Sequence, residues 1–524
     1  MSRRRFFNTT GPCNPDRHYM LPPENRLVGS QLHRYIKDAL YWVLHAPRQT
    51  GKTTFLQSWA REINAGNEAV ACYVSVERCD RVSNAERAIP AICDAIRGAA
   101  RNSDLPEPVH EDDNHLSMLN NILTNWAELV APKPLIVLFD EVDVLIDDTM
   151  VSFLRQLRGG FAGRGIGKFP VSVALVGMRD LKDYIIRAKD GKPVNPGSPF
   201  NIKEDSAILS NFTKEDVVRL FAQRTEETGQ QITPEALDYV YKQSNGQPWI
   251  VNSLFKRATL RVLTEESAET VTVDHILQAR RQMIEARETH LDALGERLRD
   301  PEIKHVIQTI ITGDMNPPLG RTDRSVELAM DLGLIRWNTN KGFTIANPIY
   351  EEILTRFLNS PYHDSMPPPS TWQWQKDDGT LDMDKLLKEF QKFWRRHSEI
   401  WEQKADYTEA FPHLLLMAFL QRVTNGGGYI EREYAAGRGR MDLAVEYDGK
   451  RYIIEVKVIY YYDTPDAVRE EGLEQIQAYR DRIDASAPAY LVIFDRRPKA
   501  RELTWDERIS WTVDPAAEVT LLGC

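Results

Sequence analysis

Apolar runs of strand length alternate with helical patterns through residues 29–262 of the chain. The runs carry few charges, which is typical of parallel strands buried on both faces of a sheet. They occur at residues 41–44, 69–76, 135–139 and 171–176. Helical patterns occur at residues 29–40, 82–101, 115–131 and 211–262. This alternation predicts an α/β domain with a mostly parallel sheet.

A second α/β pattern is predicted near the end of the chain, and it is organised around a hairpin. Asp448 and Gly449 form a two-residue turn signal between strand patterns at residues 438–447 and 451–458. The other predicted elements are helices at residues 382–403, 406–424 and 466–484, a strand at 429–434 and a last buried strand at 489–495.

The segment after the first apolar run has the composition of a phosphate-binding loop. It is His-Ala-Pro-Arg-Gln-Thr-Gly-Lys-Thr-Thr over residues 45–54, and a helical pattern follows it. At Gly51, Lys52, Thr53 and Thr54, backbone N–H groups and a helix N-terminus are expected to converge on an anion. We expect Lys52 to reach the β- and γ-phosphates of ATP and the Thr53 hydroxyl to hold Mg²⁺.

Two carboxylates end the third apolar run. Asp140 and Glu141 follow residues 135–139 directly, at the strand end where ligands bind in open α/β sheets. We expect Asp140 to hold Mg²⁺ through water and Glu141 to orient and activate the water that attacks the γ-phosphate. Arg179 follows the next strand. It either senses or neutralises phosphate charge there, or pairs with Asp180 or a neighbouring acid.

Three motifs together resemble those of P-loop ATPases of the AAA/STAND-like group. They are Ala-Pro-Arg-Gln-Thr-Gly-Lys-Thr-Thr at residues 46–54, Phe-Asp-Glu-Val-Asp at 139–143 and Asn-Gly-Gln-Pro-Trp at 245–249. Ala46 replaces the Gly that usually opens the first motif, and a methyl group is tolerated there if φ is negative. The resemblance implies a three-layer ATPase core at residues 29–210 and a helical lid at 211–299, with ATP and Mg²⁺ as cofactors.

Residues 300–358 resemble a winged helix. Predicted helices at residues 303–311 and 325–333 precede two short strands around residues 338–342. Such units either bind DNA or pack against the ATPase, and both roles stay open here. The proline-rich residues 359–375 predict a linker to the last domain, at 376–524.

The C-terminal hairpin carries the second candidate site. Asp442 lies near the start of one strand and Glu455 on its partner, so the two can face each other across the pair. Lys457 lies two residues after Glu455 and therefore on the same face. Oxygen ligands suit Mg²⁺ or Mn²⁺, and a bound metal ion lowers the pKa of water for phosphodiester hydrolysis. Lys457 is expected to orient that water or stabilise the transition state, with Glu409 completing the metal shell.

This arrangement resembles the PD-(D/E)xK nucleases. Asp442 and Glu455-Val456-Lys457 form the signature, and Met441 stands in place of the usual Pro. The other interpretation is that an Asp and a Glu-x-Lys simply lie on a solvated hairpin face.

A helix and a basic loop favour the nuclease interpretation. Gln-Ile-Gln-Ala-Tyr at residues 475–479 resembles the Gln-x-x-x-Tyr helix of the RecB and lambda-exonuclease branch. That resemblance implies that Gln475 and Tyr479 lie beside the site and contact substrate. Arg438 and Arg440, in the loop before the hairpin, are placed for phosphate contacts.

Composition limits the partners. The 524 residues include 66 Lys and Arg against 76 Asp and Glu, a net charge of −10, so nucleic acid is expected at a local basic patch or a metal site. The five cysteines are scattered, which favours a reducing cytoplasm and argues against a structural zinc site. Residues 1–28 are predicted to form an extended arm. The sequence contains no apolar segment long enough to predict a membrane span or a signal peptide.

Together these patterns predict an ATPase fused to a metal-dependent nuclease. ATP binding or hydrolysis is expected to gate or position cleavage of nucleic acid, DNA in preference to RNA. Similar pairings occur in phage-defence and mobile-element proteins. The alternative is a signalling or scaffold STAND-type ATPase whose nuclease-like domain only binds nucleic acid. The sequence leaves open whether the chain forms a homo-oligomer.

Overall fold

The computed structural model places the chain in two compact units. The first comprises Met1–His290 with Met330–Gly333, and the second comprises Leu291–Ala329 with Leu334–Cys524. The residues that the structure describes are 4–22, 26–28, 32–109, 114–178, 186–187, 193–194, 202–264, 267–286, 288–312, 320, 323–339, 342–365, 376, 378, 380–402, 411–424, 428–434, 441–447, 449–459, 463–482, 485–495 and 497–524.

The first unit contains a central sheet and the helices that cover it. Its strands are β1 (Phe6–Phe7), β2 (His18–Tyr19), β3 (Leu27–Val28), β4 (Tyr41–His45), β5 (Val70–Ser75), β6 (Leu135–Asp140), β7 (Ser172–Gly177), β8 (Ile186–Arg187), β9 (Pro193–Val194) and β10 (Lys203–Leu209). Its helices are α1 (Leu32–Lys37), α2 (Lys52–Gly66), α3 (Ala85–Asn102), α4 (Met118–Leu129), α5 (Asp147–Phe161), α6 (Lys214–Thr228), α7 (Pro234–Ser244), α8 (Pro248–Arg257) and α9 (Val273–Glu285).

The order of the strands sets the geometry of the first site. The six-stranded sheet has the order β3-β10-β4-β7-β6-β5. All neighbours pair in parallel except β3, which lies antiparallel to β10 at one edge. Because β4, β7 and β6 are adjacent and parallel, their carboxyl ends lie at one edge of the sheet. The predicted α/β class with a mostly parallel sheet is confirmed.

Both faces of this sheet are covered by apolar helix surfaces. Val43 and Val137 belong to a core that includes side chains of α3, α4 and α5. Trp42 and Leu138 point to the other face and pack with side chains of α1 and α2. Neighbouring residues on a strand therefore serve opposite cores, which explains why these strands are apolar throughout.

The N-terminal arm, residues 4–22, packs against the helices that follow the sheet. Phe7 is 1% exposed, and its ring lies 5.8 Å from that of Phe221 on α6 and 5.1 Å from that of Phe255 on α8. The indole N–H of Trp249 donates to the carbonyl oxygen of Thr9 at 3.0 Å. The arm is thus fixed both by apolar packing and by a hydrogen bond to the start of α8.

The second unit contains a helical part and a mixed sheet. Its helices are α10 (Thr289–Arg297, which begins at the boundary), α11 (Pro301–Thr312), α12 (Arg324–Asp331), α13 (Pro348–Ser365), α14 (Met383–Glu402), α15 (Phe411–Thr424), α16 (Pro465–Arg482) and α17 (Trp505–Arg508). Its strands are β11 (Ile335–Asn338), β12 (Gly342–Ile345), β13 (Gly428–Tyr434), β14 (Met441–Tyr447), β15 (Lys450–Ile459), β16 (Ala489–Asp495), β17 (Ser510–Asp514) and β18 (Val519–Gly523). The β11–β12 hairpin follows α11 and α12, in the predicted order.

The larger sheet of this unit contains two strands, β17 and β18, that were not predicted. Its order is β13-β14-β15-β16-β18-β17, so the prediction that residues 489–495 form the last buried strand is wrong. β18 lies beside β16 in parallel register, with Leu522 fully buried. β17 is an edge strand on which Val513 is 61% exposed. Each of these strands has only five residues, so neither contains the long apolar run by which a buried strand is recognised.

Among the described residues, none of the helices combines the length and apolar character that crossing a bilayer requires.

Gly246 provides a stability test of the turn between α7 and α8. It has a φ of +71°, and a Cβ there would lie 1.9 Å from the carbonyl oxygen of Phe212. Gly229 has a φ of +77° with no neighbour within 4 Å of such a Cβ. We expect Gly229→Ala to lower the free energy of unfolding by about 1–2 kcal/mol, because alanine is disfavoured in a left-handed backbone conformation. Gly246→Ala is expected to cost more than about 3 kcal/mol because the clash adds to it.

The measurement is thermal and urea unfolding of the full-length variants beside the wild type. Equal destabilisation by the two substitutions would show that the close approach of Phe212 to the turn is absent.

Candidate active sites

The phosphate loop joins β4 to α2 as the sequence predicted. The helix begins at Lys52, and Gly51 precedes it with a φ of +92°. Gln49 also has a positive φ, of 60°, so the loop turns sharply before the helix. Ala46 is not among the residues with positive φ, which meets the condition under which a methyl group is tolerated there. The first turn of α2 therefore follows a tightly turned loop, and a helix N-terminus in this position can bind an anion.

Lys52 lies across its own loop. Its Nζ donates to the carbonyl oxygens of Ala46 at 2.7 Å and Pro47 at 2.9 Å. Burial lowers the pKa of Lys52, while the charges of Asp140 and Asp143 act to raise it. This partly buried ammonium is held by neutral carbonyls and lacks a close anionic partner within the loop. Phosphate oxygens would supply that negative charge.

Thr53 and Asp140 bring the two nucleotide motifs together. The Thr53 hydroxyl donates to Asp140 Oδ2 at 2.7 Å. Asp140 is 1% exposed, and the backbone N–H of Glu141 donates to its other oxygen at 3.0 Å. Burial raises the pKa of Asp140, and the bond from Thr53 opposes that rise. A hydroxyl and a carboxylate side by side are the oxygen donors that Mg²⁺ prefers, so these residues fit the predicted ion.

Glu141 is held in place by a neighbouring strand. Its φ is +63°, unusual for a residue other than Gly. The Ser75 hydroxyl donates to Glu141 Oε2 at 2.7 Å, from the strand that pairs with β6. Burial raises the pKa of this half-buried carboxyl. Ser75 was not predicted from sequence, and its position at the end of β5 is the signal that could have revealed it.

Two other residues were predicted to belong to the nucleotide site, Thr54 and Arg179. The Thr54 hydroxyl accepts a hydrogen bond from the backbone N–H of Cys13 at 3.0 Å, so it contacts the N-terminal arm. Arg179 lies outside the described residues, and its role stays a prediction.

The hairpin register of the second unit agrees with the predicted catalytic pair. Leu443 on β14 pairs with Ile454 on β15 in antiparallel register. One position further along this antiparallel pair, Asp442 of β14 comes opposite Glu455 of β15. The backbone of Asp442 therefore lies at the level of Glu455, whereas its side chain lies outside the described residues.

Glu455 and Lys457 form a buried ion pair. Each is 1% exposed, and Lys457 Nζ lies 3.1 Å from Glu455 Oε1. This contact lacks hydrogen-bond geometry, and neither Glu455 oxygen accepts a hydrogen bond from any described residue. A buried carboxylate normally has such donors. Its unsatisfied lone pairs fit a metal ion, which the PD-(D/E)xK resemblance implies at this position.

Helix α16 supplies further partners to Lys457. Lys457 Nζ donates to Gln475 Oε1, and it lies 3.4 Å from Glu471 Oε1. The Gln475 amide also donates to Glu471 Oε1 at 3.3 Å. Glu471 was not predicted from the sequence. Its spacing of four residues before Gln475, which places both on one helix face, could have revealed it.

Tyr479 lies deeper than its predicted role suggests. It is 4% exposed and packs in a hydrophobic cluster with Ile453, Ile476 and Leu491. Its predicted contact with substrate stays a prediction.

Three other predicted residues of the second site lie outside the described residues: Glu409, Arg438 and Arg440. Among the described side chains, no group of three or more His, Cys, Asp or Glu is arranged to hold a metal ion. The proposed metal shell therefore depends on Asp442 and Glu409 as well as on Glu455.

Comparison with known proteins identifies a family for the C-terminal part of the chain. Residues 407–493 match the family model of the PD-(D/E)XK nuclease superfamily. No curated protein matches the chain. The PD-(D/E)xK resemblance expected from the sequence is confirmed for the C-terminal part by this match. In the N-terminal part, the strand-loop-helix order and the parallel sheet agree with the fold that the P-loop resemblance implied.

Solved structures are similar to the chain over about two thirds of its length. A Walker-type ATPase of Pyrococcus abyssi has a TM-score of 0.47 at 13% identity, covering 66% of this chain and 99% of its own. Cdc6p from Pyrobaculum aerophilum has a TM-score of 0.36 at 15% identity, covering 63% of this chain and 93% of its own. The RuvB Holliday junction branch migration motor of Thermotoga maritima has a TM-score of 0.32 at 15% identity, covering 62% of this chain and 92% of its own.

The buried ion pair predicts a specific pattern of stability. Lys457→Met leaves the Glu455 carboxylate buried without its cation, and we expect a loss of about 3–5 kcal/mol. Adding Glu455→Gln to that variant removes the uncompensated charge and should recover much of the loss. Lys450→Met, at an exposed position on the same strand, should change stability by less than about 0.5 kcal/mol.

Urea unfolding of the full chain in metal-free buffer measures all four proteins. If Lys457→Met costs no more than Lys450→Met, the Lys457 ammonium does not compensate Glu455 in solution.

Proposed function

We propose that this protein is an ATP-hydrolysing enzyme with a metal-dependent nuclease site, in which the nucleotide state gates or positions cleavage of nucleic acid. The observation that carries the proposal is the buried Glu455–Lys457 pair, whose carboxylate oxygens lack hydrogen-bond donors among the described residues. The Thr53–Asp140 hydrogen bond supports the nucleotide half. The division into arm, ATPase core, lid, winged-helix-like unit, linker and nuclease domain is part of this proposal.

At the nucleotide site, the loop binds the triphosphate and the strand ends act on it. The N–H groups at Gly51 and the first residues of α2 contact the phosphates, and Lys52 turns from its loop carbonyls to their oxygens. Thr53 and Asp140 would hold Mg²⁺, which would neutralise charge on the β- and γ-phosphates.

Glu141 is the base of the hydrolytic step in this proposal. Burial raises the pKa of its carboxyl, and a carboxylate in this position can accept a proton from water. The bond from Ser75 fixes one of its oxygens. The other oxygen can orient water towards the γ-phosphate.

At the nuclease site, Glu455 holds a divalent metal together with Asp442 and Glu409. When bound, Mg²⁺ or Mn²⁺ acidifies water and offsets charge on the scissile phosphate. Lys457, fixed by Gln475 and Glu471, donates to that water or to a phosphate oxygen.

The substrate is nucleic acid, DNA in preference to RNA. Gln475 and Tyr479 lie on the helix beside Lys457, and Arg438 and Arg440 contact the phosphate backbone. A cytoplasmic role in phage defence or mobile-element biology is consistent with an ATPase joined to a nuclease.

The first functional prediction concerns the nucleotide site. Lys52→Ala removes the cation that meets the phosphates and should abolish ATP binding. Glu141→Gln leaves the cradle intact, so it should bind ATP with wild-type affinity while hydrolysis falls about 10²–10⁴-fold. Calorimetry measures binding and phosphate release measures hydrolysis. Wild-type hydrolysis by Glu141→Gln would remove its role as base.

The second functional prediction concerns cleavage. Glu455→Gln and Lys457→Ala should each reduce cleavage of linear, circular and single-stranded DNA at least about 10²-fold with Mg²⁺ or Mn²⁺. Glu470→Gln, at an exposed position on α16, should cleave like the wild type. Parallel assays with RNA test the preference for DNA.

Two further outcomes separate the alternatives. A wild-type protein that binds DNA but never cleaves it with either metal would favour the signalling or scaffold interpretation. Cleavage by Lys52→Ala that equals the wild type with and without ATP would remove the gating role.

A further inference from the structure

The carbonyl groups of the phosphate loop decide whether the loop can bind an anion. In a planar trans peptide, the C=O and N–H groups point in opposite directions. A carbonyl group that points into the loop would repel phosphate oxygens. The N–H group of the same peptide would then point away from the phosphate. Whatever holds a loop carbonyl outward therefore also aims the following N–H group inward.

Several loop carbonyls are held by the loop and its own helix. Lys52 binds the carbonyl oxygens of Ala46 and Pro47. The Gly51 carbonyl accepts from the backbone N–H of Phe55 at 2.9 Å, as the first hydrogen bond of α2.

Two consecutive carbonyls are held from elsewhere in the first unit. The Thr50 carbonyl accepts a hydrogen bond from Arg26 Nη2 at 2.7 Å, and Thr50 is 2% exposed. The Gln49 carbonyl accepts from the Gln247 amide at 3.3 Å. The Thr50–Gly51 peptide lies just before Lys52, in the part of the loop that is expected to contact the phosphates.

Arg26 is itself rigidly anchored. Its Nε donates to the Ser210 carbonyl at 2.9 Å, while Ser210 N and Oγ donate to the Arg26 carbonyl at 2.9 and 2.7 Å. The guanidinium also lies 4.9 Å from the ring centroid of Phe212. Arg26 is 6% exposed, and burial lowers its pKa to about 10, so it stays protonated at neutral pH.

We propose that Arg26 is a positioning residue of the nucleotide site, which fixes the Thr50–Gly51 peptide so that the Gly51 N–H faces the bound phosphates. Gln247 acts in the same way on the preceding peptide. This inference rests on the proposed nucleotide site. It assigns to a residue outside the loop the role of preorganising the anion-binding N–H groups.

A competing explanation is that the positive charge of Arg26 simply attracts phosphate. Arg26→Lys separates the two explanations. Lysine keeps the charge but lacks the planar fork that reaches the Ser210 and Thr50 carbonyls together. If peptide orientation matters, Arg26→Lys and Arg26→Gln should both weaken binding, whereas charge attraction predicts that Arg26→Lys resembles the wild type.

The test is calorimetric titration of the full-length protein with ATP, ADP and AMP in Mg²⁺. We expect both Arg26 variants to weaken ATP and ADP binding by about tenfold or more, the range of a hydrogen bond from a charged donor. AMP lacks the β-phosphate, so its Kd should change by less than about twofold. Arg34→Gln, which removes an exposed arginine paired with Asp38, should match the wild type with all three nucleotides.

Gln247→Ala provides a second test that leaves Arg26 intact. It should weaken ATP and ADP several-fold and spare AMP. Wild-type affinities in Arg26→Lys, or an equal loss with all three nucleotides, would overturn the positioning role. A wild-type protein that binds none of them would overturn the nucleotide site itself, a result distinct from a failure of Arg26 alone.

Discussion

The hydrogen bond between Thr53 and Asp140 depends on the order of the strands in the parallel sheet. The two residues are 87 positions apart, yet their oxygens lie 2.7 Å from each other. This is achieved because β4, β7 and β6 are parallel neighbours, so the loop after β4 and the end of β6 meet at one edge. The same register places Ser75 opposite Asp140 and within reach of Glu141.

The two candidate sites treat charge in different ways. At the nucleotide site, the partial charges of oriented backbone groups and of a helix N-terminus are expected to add to the full charges of Lys52 and the buried Asp140. The nuclease site buries full charges, and Glu455 and Lys457 compensate each other only in part because the carboxylate lacks hydrogen-bond donors among the described residues. Burying such a pair is seldom favourable for stability alone. The arrangement is understandable if Glu455 is kept for a cation.

Both candidate sites receive contacts from residues that lie outside the phosphate loop and outside the β14–β15 hairpin. In the first unit, Arg26 precedes the phosphate loop in the sequence and Gln247 follows it, and both donate hydrogen bonds to carbonyl groups of the loop. In the second, α16 brings Glu471 and Gln475 to Lys457. Such supporting contacts hold a reactive group in one orientation, which increases its contribution to binding and catalysis.

The sequence by itself determined the local elements and the residue types that meet at each candidate site. The strand-loop-helix order around Lys52, the acids after β6 and the Glu-x-Lys spacing follow from periodicities that act over a few residues. Only the tertiary structure decided that β18 lies between β16 and β17, that Arg26 and Gln247 hold the loop carbonyls, and that Ser75 and Glu471 contact the catalytic candidates. The physical reason is that the longest of these contacts joins residues 198 positions apart, and only strand order and helix packing bring such residues together.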